Sequence, residues 1–187
     1  MQEDAIKWNE KHTQNPMPQT PSTLLELFMP KLLEKPSKKA LDIACGNGRN
    51  SKFLAQNGFL CDSVDISEVA LNMSKAIKGI TTICADLDFF RPKPNTYDVV
   101  LNFYFLNRQL FDSIIASLKP QGIFLCETFI KEPNGENSSC IINEKILNHG
   151  ELEEIFDGFH ILHHQTSYIT RREGQQAKII SFVAQKP

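Results

Sequence analysis

The sequence lacks a long apolar run. No stretch approaches the roughly 18 residues that a membrane span requires, and the acidic start, Gln2-Glu3-Asp4, is unlike a secretory signal. Together these absences make a cytoplasmic protein with no membrane partner the expectation. Positive charge is also short. The 20 lysines and arginines stand against 22 aspartates and glutamates, a formal charge of −2 that provides no field for holding a phosphate backbone. No nucleic-acid partner is expected, and the lysines between 31 and 39 read as a solvated helix end and linker. The five cysteines include no C-x-x-C and no paired ligand spacing, which argues against a structural metal site. Cys45, Cys61, Cys84 and Cys126 fall in or beside apolar runs and read as buried, reduced thiols packing as small apolar residues. Repeats and low-complexity tracts are missing too, and 187 residues suit one compact domain.

What the chain does have is centred on residues 40–50. The run Ala40-Leu41-Asp42-Ile43-Ala44-Cys45 reads as a short buried strand. It ends in Gly46-Asn47-Gly48, where two glycines let the backbone turn tightly and approach a ligand. A helical pattern follows over 49–57, with Phe53 and Leu54 apolar and Gly58 as its stop. Strand, glycine turn and helix form the opening unit of a nucleotide-binding α/β fold. The third glycine of G-x-G-x-x-G is missing, because Asn50-Ser51 stand where it would fall, and an acid, Asp42, lies inside the strand. Asp65 ends the next apolar run 23 positions after Asp42, close to the offset of about 20 residues at which an acid reaches ribose hydroxyls. The missing glycine argues against a nicotinamide-dependent oxidoreductase.

The stretch Leu41-Asp42-Ile43-Ala44-Cys45-Gly46-Asn47-Gly48-Arg49-Asn50 resembles the first motif of class I S-adenosylmethionine (SAM) methyltransferases. Its Gly-Arg-Asn ending resembles the TehB-like tellurite-resistance branch, with similarity running from Trp8 to Pro187. The resemblance implies a Rossmann-like α/β fold in a single domain, sheet order 3-2-1-4-5-7-6, with the last strand antiparallel. It also implies SAM as cofactor and S-adenosylhomocysteine as product. The cofactor-binding residues it implies are Asp42, Gly46, Gly48, Asn50, Asp65, Ile66, Asp86, Leu87 and Asn102. Gly46 and Gly48 would admit the methionyl end, Asp65 would hold the ribose hydroxyls, and Asp86-Leu87 would frame the adenine. Trp8-Asn9-Glu10-Lys11-His12 is similar to a Trp-x-x-Arg-Tyr element that closes over the cofactor, with Lys11 for the arginine and His12 for the tyrosine. Lysine would meet the methionine carboxylate as a point charge rather than a fork. Residues 1–37 are therefore expected to form a helical cap over the cofactor, including Trp8 and Lys11, and 38–187 the catalytic core.

Along the rest of the chain, Pro21-Ser22-Thr23-Leu24-Leu25-Glu26 opens a helix, with Thr23 and Glu26 at capping-box spacing. Leu24, Leu27, Phe28 and Leu32 are its expected apolar face, and Pro30 is expected to kink or break it. Residues 61–65 form a second strand, Ser67 an N-cap, and Val69, Ala70, Met73, Ala76 and Ile77 a helical apolar face. Residues 80–84 form a third strand, and 97–105 a central strand buried on both faces. A helix over 108–118 leads through a turn at 120–122 to a strand over 123–129. Residues 131–139, polar with Pro133 and Gly135, suggest a lid. A short helix at 151–156 precedes a hairpin of 159–169 and 179–185, turning at 172–174.

Methyl transfer from a sulfonium is an in-line displacement, so positioning donor and acceptor carries most of the catalysis. No acid–base dyad stands out in the sequence, which favours a soft or anionic acceptor: a thiol, or a tellurium or selenium oxyanion. Arg108, Arg171 and Arg172 are the candidate catalytic residues for an anion, and equally plain surface charges. Thr170-Arg171-Arg172 departs from the His-Arg pair of tellurite-type relatives. His160, His163 and His164 do not converge on one strand face, so no metal site is expected. Glu127 ends its strand at the ligand edge and could orient a substrate or cap a loop. A small-molecule acceptor suits so small a chain, as monomer or homodimer. The alternative is a non-catalytic SAM-binding sensor or partner protein.

Overall fold

A computed structural model describes residues 2–15, 17–132, 143–171 and 174–187 of the chain. Two helices, α1 (Gln2–Gln14) and α2 (Thr23–Leu33), precede the first strand, β1 (Lys39–Ile43). After it come α3 (Arg49–Gln56), β2 (Leu60–Asp65), α4 (Glu68–Leu71), β3 (Ile80–Cys84) and β4 (Tyr97–Phe103). The 3-10 turn Arg108–Leu110 leads into α5 (Phe111–Ser117) and β5 (Leu118–Phe129); a 3-10 turn at Asn143–Lys145, α6 (Glu151–Ile155), β6 (His160–Thr170) and β7 (Gln176–Gln185) complete the chain.

The seven strands form one sheet in the order β3-β2-β1-β4-β5-β7-β6, the order that the family resemblance implies. Strands β1 to β5 pair in parallel, and β7 runs antiparallel to both β5 and β6. Every residue of β4 is buried, which follows from its place in mid-sheet with helices on both faces. Alternate strand residues feed two cores. Val99, Leu101 and Phe103 pack with Leu25, Met29 and Leu32 of α2 and Leu54 of α3. Val100, Leu41 and Ile43 pack with Phe111 and Ile114 of α5 and with Phe156. Beneath the sheet's amino edge Asp98 accepts hydrogen bonds from Ser37 Oγ and the Lys39 backbone N–H, fixing the entry to β1.

Some local expectations fail for visible reasons. The N-cap of α2 is Ser22, whose Oγ accepts from Leu24 N at 3.2 Å, rather than Thr23. Its buried face is Leu24, Leu25, Met29 and Leu32, while Leu27 is 66% exposed. The helix continues through Pro30 to Leu33. The helix after β2 stops at Leu71: Ser74 Oγ donates to Leu71 O, and the backbone tightens into i→i−3 bonds at Met73 and Ser74. Met73 is thereby 46% exposed. Cys45, Cys61 and Cys126 are buried, but Cys84 is exposed because β3 is an edge strand. The central strand ends at Phe103, two residues short of its expected end, because Tyr104 turns to φ +57°. No described helix is long and apolar enough to cross a membrane.

Candidate active site

The carboxyl ends of the parallel strands bring the predicted residues to one edge. The turn after β1 carries Gly46 and Gly48 at φ +55° and +72°. A side chain on either would collide with protein. At Gly46 a Cβ would lie 2.7 Å from Met17 Sδ, and at Gly48 2.7 Å from Ser74 Oγ. In this structure the glycines therefore let other parts of the chain come close, with the segment after α1 laid over Gly46. Asn47 Nδ2 donates to Pro18 O at 3.0 Å and Arg49 to Thr20 O at 3.2 Å, holding residues 18–20 across the turn.

Asp65, at the end of β2, accepts from Gly46 N at 2.8 Å and from Ser67 N at 2.9 Å. Its carboxylate joins the glycine turn to the start of α4. Asp42 is buried in β1 and accepts from Ser51 Oγ at 2.5 Å; Ser63 Oγ in turn donates to Ser51 at 2.8 Å. Burial is the main cause raising the Asp42 carboxyl to about 7, against the lowering effect of the Ser51 bonds. Asn50 is buried, and its Oδ1 accepts from Ser22 N at 2.9 Å, hooking the start of α2 to α3. Ile66 follows Asp65, and its carbonyl accepts from the Cys84 thiol at 3.6 Å.

Beyond β3, Asp86 Oδ1 accepts from Asp88 N at 3.0 Å, and Leu87 is buried. Ala85, Asp86, Phe89 and Phe90 line an open cleft of about 350 Å³. Asn102, on β4 beside Ile43, is buried, and its Oδ1 has no hydrogen-bond partner among the described residues. A buried, unsatisfied carbonyl at the mouth of a sheet calls for a partner from outside the chain.

Over this edge lies α1. Asn9 Oδ1 accepts from Ser67 Oγ at 2.7 Å and from Val69 N at 3.3 Å, which docks the helix on α4. Lys11 Nζ sits 4.1 Å from the centre of the Trp8 ring, and the His12 ring lies 5.8 Å from it. His12 is buried near Gly46, and desolvation holds its pKa below the ordinary value despite Asp65 nearby. Within the segment expected as a cap, α1 docks on α4 and residues 18–20 cross the glycine turn, whereas Leu24, Leu25, Met29 and Leu32 of α2 lie in the core.

The candidate arginines are placed differently from one another. Arg108 donates Nε and Nη2 to Glu151 at 2.6 and 2.9 Å, and also reaches Glu144 O and Ile146 O. Four of its five N–H groups are thus committed inside the chain, which makes it a strut beneath α6 instead of an arginine held out to substrate. The Arg171 guanidinium lies 5.3 Å from the centre of the Phe129 ring, at the end of β6. Arg172 lies outside the described residues, as does the expected lid from 133 onward. His164 pairs with Glu153 at 3.0 Å, apart from this edge.

The sequence puts Asn102-Phe103-Tyr104 at the ligand edge, but gives Tyr104 no role and no partner. Its hydroxyl donates to Glu127 Oε1 at 2.6 Å, while Ser181 Oγ donates to Glu127 Oε2 at 3.1 Å. The Tyr104 ring also lies 5.6 Å from Phe129. Only the fold joins positions 104, 127 and 181, so no spacing in the chain signals the group.

A family model described as a methyltransferase domain matches residues 13–169. Over 89 residues the chain is 34% identical to the "Probable S-adenosyl-L-methionine-dependent methyltransferase TehB" of Haemophilus influenzae, covering 43% of this chain and 31% of that protein. It is 28% identical over 145 residues to the cyclopropane-fatty-acyl-phospholipid synthase of Escherichia coli, covering 70% of this chain and 36% of that one. The chain thus spans about a third of the length of these curated relatives. The crystal structure of Haemophilus influenzae TehB superposes with a TM-score of 0.74 at 18% identity, over 97% of this chain and 67% of that one. An S-adenosylmethionine-dependent methyltransferase from Mesorhizobium loti gives 0.61 at 17% identity, over 87% of this chain and 100% of that one.

Proposed function

Because the chain belongs to the methyltransferase-domain family, we propose that it transfers a methyl group from SAM to a small-molecule acceptor. The observation that carries this reading is the unsatisfied Asn102 Oδ1 at the carboxyl edge, level with the glycine turn and in line with Asp65 and the cleft at Asp86. The residues fit the cofactor in kind. Asn102 Oδ1 would accept from the methionyl ammonium, and the Asp65 oxygens keep lone pairs for ribose hydroxyls. Asp86 with Phe89 and Phe90 offers an acceptor and apolar walls for adenine. Met17, His12, Trp8 and Lys11 would cover the methionyl end and keep water from it. SAM supplies an electrophilic methyl on a sulfonium; the chain's task is to hold it and its acceptor in line. For the acceptor two classes remain in view, a thiol and a tellurium or selenium oxyanion, and Arg171 beside Phe129 is a cation at this edge that supports the second.

Calorimetric titration with S-adenosylhomocysteine tests the cofactor reading. Micromolar binding is expected, with none for NADH. Asp86→Ala should weaken binding about tenfold, in keeping with one lost hydrogen bond, and leave Tm almost unchanged. Asp65→Ala is a poorer probe, because it also strips Gly46 N and Ser67 N of their acceptor. Silence towards S-adenosylhomocysteine would overturn the reading.

A further inference from the structure

The Tyr104–Glu127 pair distinguishes between the two acceptor classes. Tyr104 follows β4 directly, two residues past Asn102, and is 39% exposed with φ +57°. An aromatic residue held in the left-handed region is strained, and such strain is kept where surrounding contacts demand that side-chain position. Those contacts are the Tyr104 N–H to Glu127 O at 2.7 Å, the hydroxyl to Glu127 Oε1 at 2.6 Å, and the Phe129 ring. Arg49, the first residue of α3, bears electrostatically on the phenol.

The hydroxyl has a single hydrogen, and Glu127 receives it. Towards a ligand the pair therefore shows oxygen lone pairs only. A group that meets them favourably must bring a hydrogen, and an oxyanion would meet like charge. We infer that the acceptor is a protic nucleophile, a small thiol, and that the Tyr104–Glu127 pair takes its proton. This inference rests on the methyltransferase reading above and deepens it.

In the step, the thiol proton passes to the Tyr104 oxygen as the Tyr104 proton passes to Glu127. The acceptor sulfur then forms its bond to the methyl carbon as the bond from methyl to the donor sulfonium breaks, the donor sulfur keeping that electron pair. Glu127 ends as a carboxylic acid and returns its proton to water. Burial and Glu127 both raise the Tyr104 phenol, so it serves as a relay and is not itself lost as phenolate. Among the described residues, the groups that bear on the pair are Ser181 from β7, Arg49 from α3 and, through Phe129, Arg171 at the end of β6.

The test compares the full chain with Glu127→Gln and Tyr104→Phe, using SAM with 2-mercaptoethanol or selenite as probes. S-adenosylhomocysteine affinity is measured on all three proteins. The expected result is transfer to the thiol at neutral pH, reduced at least tenfold in both variants, with S-adenosylhomocysteine affinity unchanged. Without the pair, the rate should follow the thiolate fraction and climb about tenfold per pH unit until the probe's own pKa is reached. A merely structural role would not produce that recovery at high pH. Selenite methylated in preference to the thiol would overturn the inference. So would variants equal to the parent at neutral pH, or no thiol transfer by a protein that binds S-adenosylhomocysteine. Loss of S-adenosylhomocysteine binding by the parent would instead strike the cofactor reading on which the inference stands.

Discussion

Asp42 lies wholly inside the sheet with a carboxyl raised to about 7, burial being the chief cause. In the unfolded chain it ionises near its ordinary value of 3.8. Between those values the folded state holds a proton that the unfolded state has lost. Its contribution to stability is therefore complete below about pH 4 and is lost as pH rises through 7. Asp42→Asn is neutral throughout and keeps an acceptor for Ser51. Urea midpoints should show the variant gaining on the parent between pH 5 and pH 8, by roughly 2–3 kcal/mol. A gap that does not change with pH would mean that Asp42 titrates as an exposed carboxyl does. Sequence spacing identified Asp42 and Asp65 as special. It was blind to their partners: Ser51 lies nine residues from Asp42, and Gly46 N lies nineteen from Asp65.

Elements with a strong period were legible. Strands β1 to β4 were placed because four- to nine-residue apolar runs bounded by turn residues have few alternatives; β5 was placed over 123–129 but begins at Leu118, running through the expected turn at 120–122. The misread elements are those where a side chain competes with the backbone, as Ser74 does beyond α4, or where several apolar residues crowd one helix, as in α2. Asn50 is a case of an element held by one contact at long range. It was expected among the cofactor ligands, yet its Oδ1 accepts from the buried Ser22 N–H and so fixes how α2 meets α3. Asn50→Ala leaves that N–H unsatisfied and should destabilise the fold by about 2 kcal/mol. Denaturant midpoints check this. A loss of S-adenosylhomocysteine affinity with no loss of stability would return Asn50 to a direct binding role.

For the whole molecule, the two cores begin at Leu24, and neither contains any residue of α1 or of the segment 17–20. Helix α1 and residues 17–20 thus form a strap laid over the glycine turn, tied by Asn9, Pro18 and Thr20. Removing residues 2–20 should leave a cooperatively unfolding sheet, seen by circular dichroism, and lower S-adenosylhomocysteine affinity at least tenfold. Undiminished affinity would exclude the strap from the cofactor site.

The succession of strands along the chain, the glycine turn and the acids at successive strand ends were legible in the sequence, because apolar runs, turn chemistry and chain order are local properties; the order of strands across the sheet came only from the family resemblance. The tertiary structure decided which polar atoms are already spoken for. Arg108 is committed to Glu151, Asn102 Oδ1 is left without a partner, and Tyr104 meets Glu127 across two strands. Hydrogen-bond partnership between residues tens of positions apart depends on strand register and on a positive φ at one aromatic residue, and neither leaves a pattern in the chain.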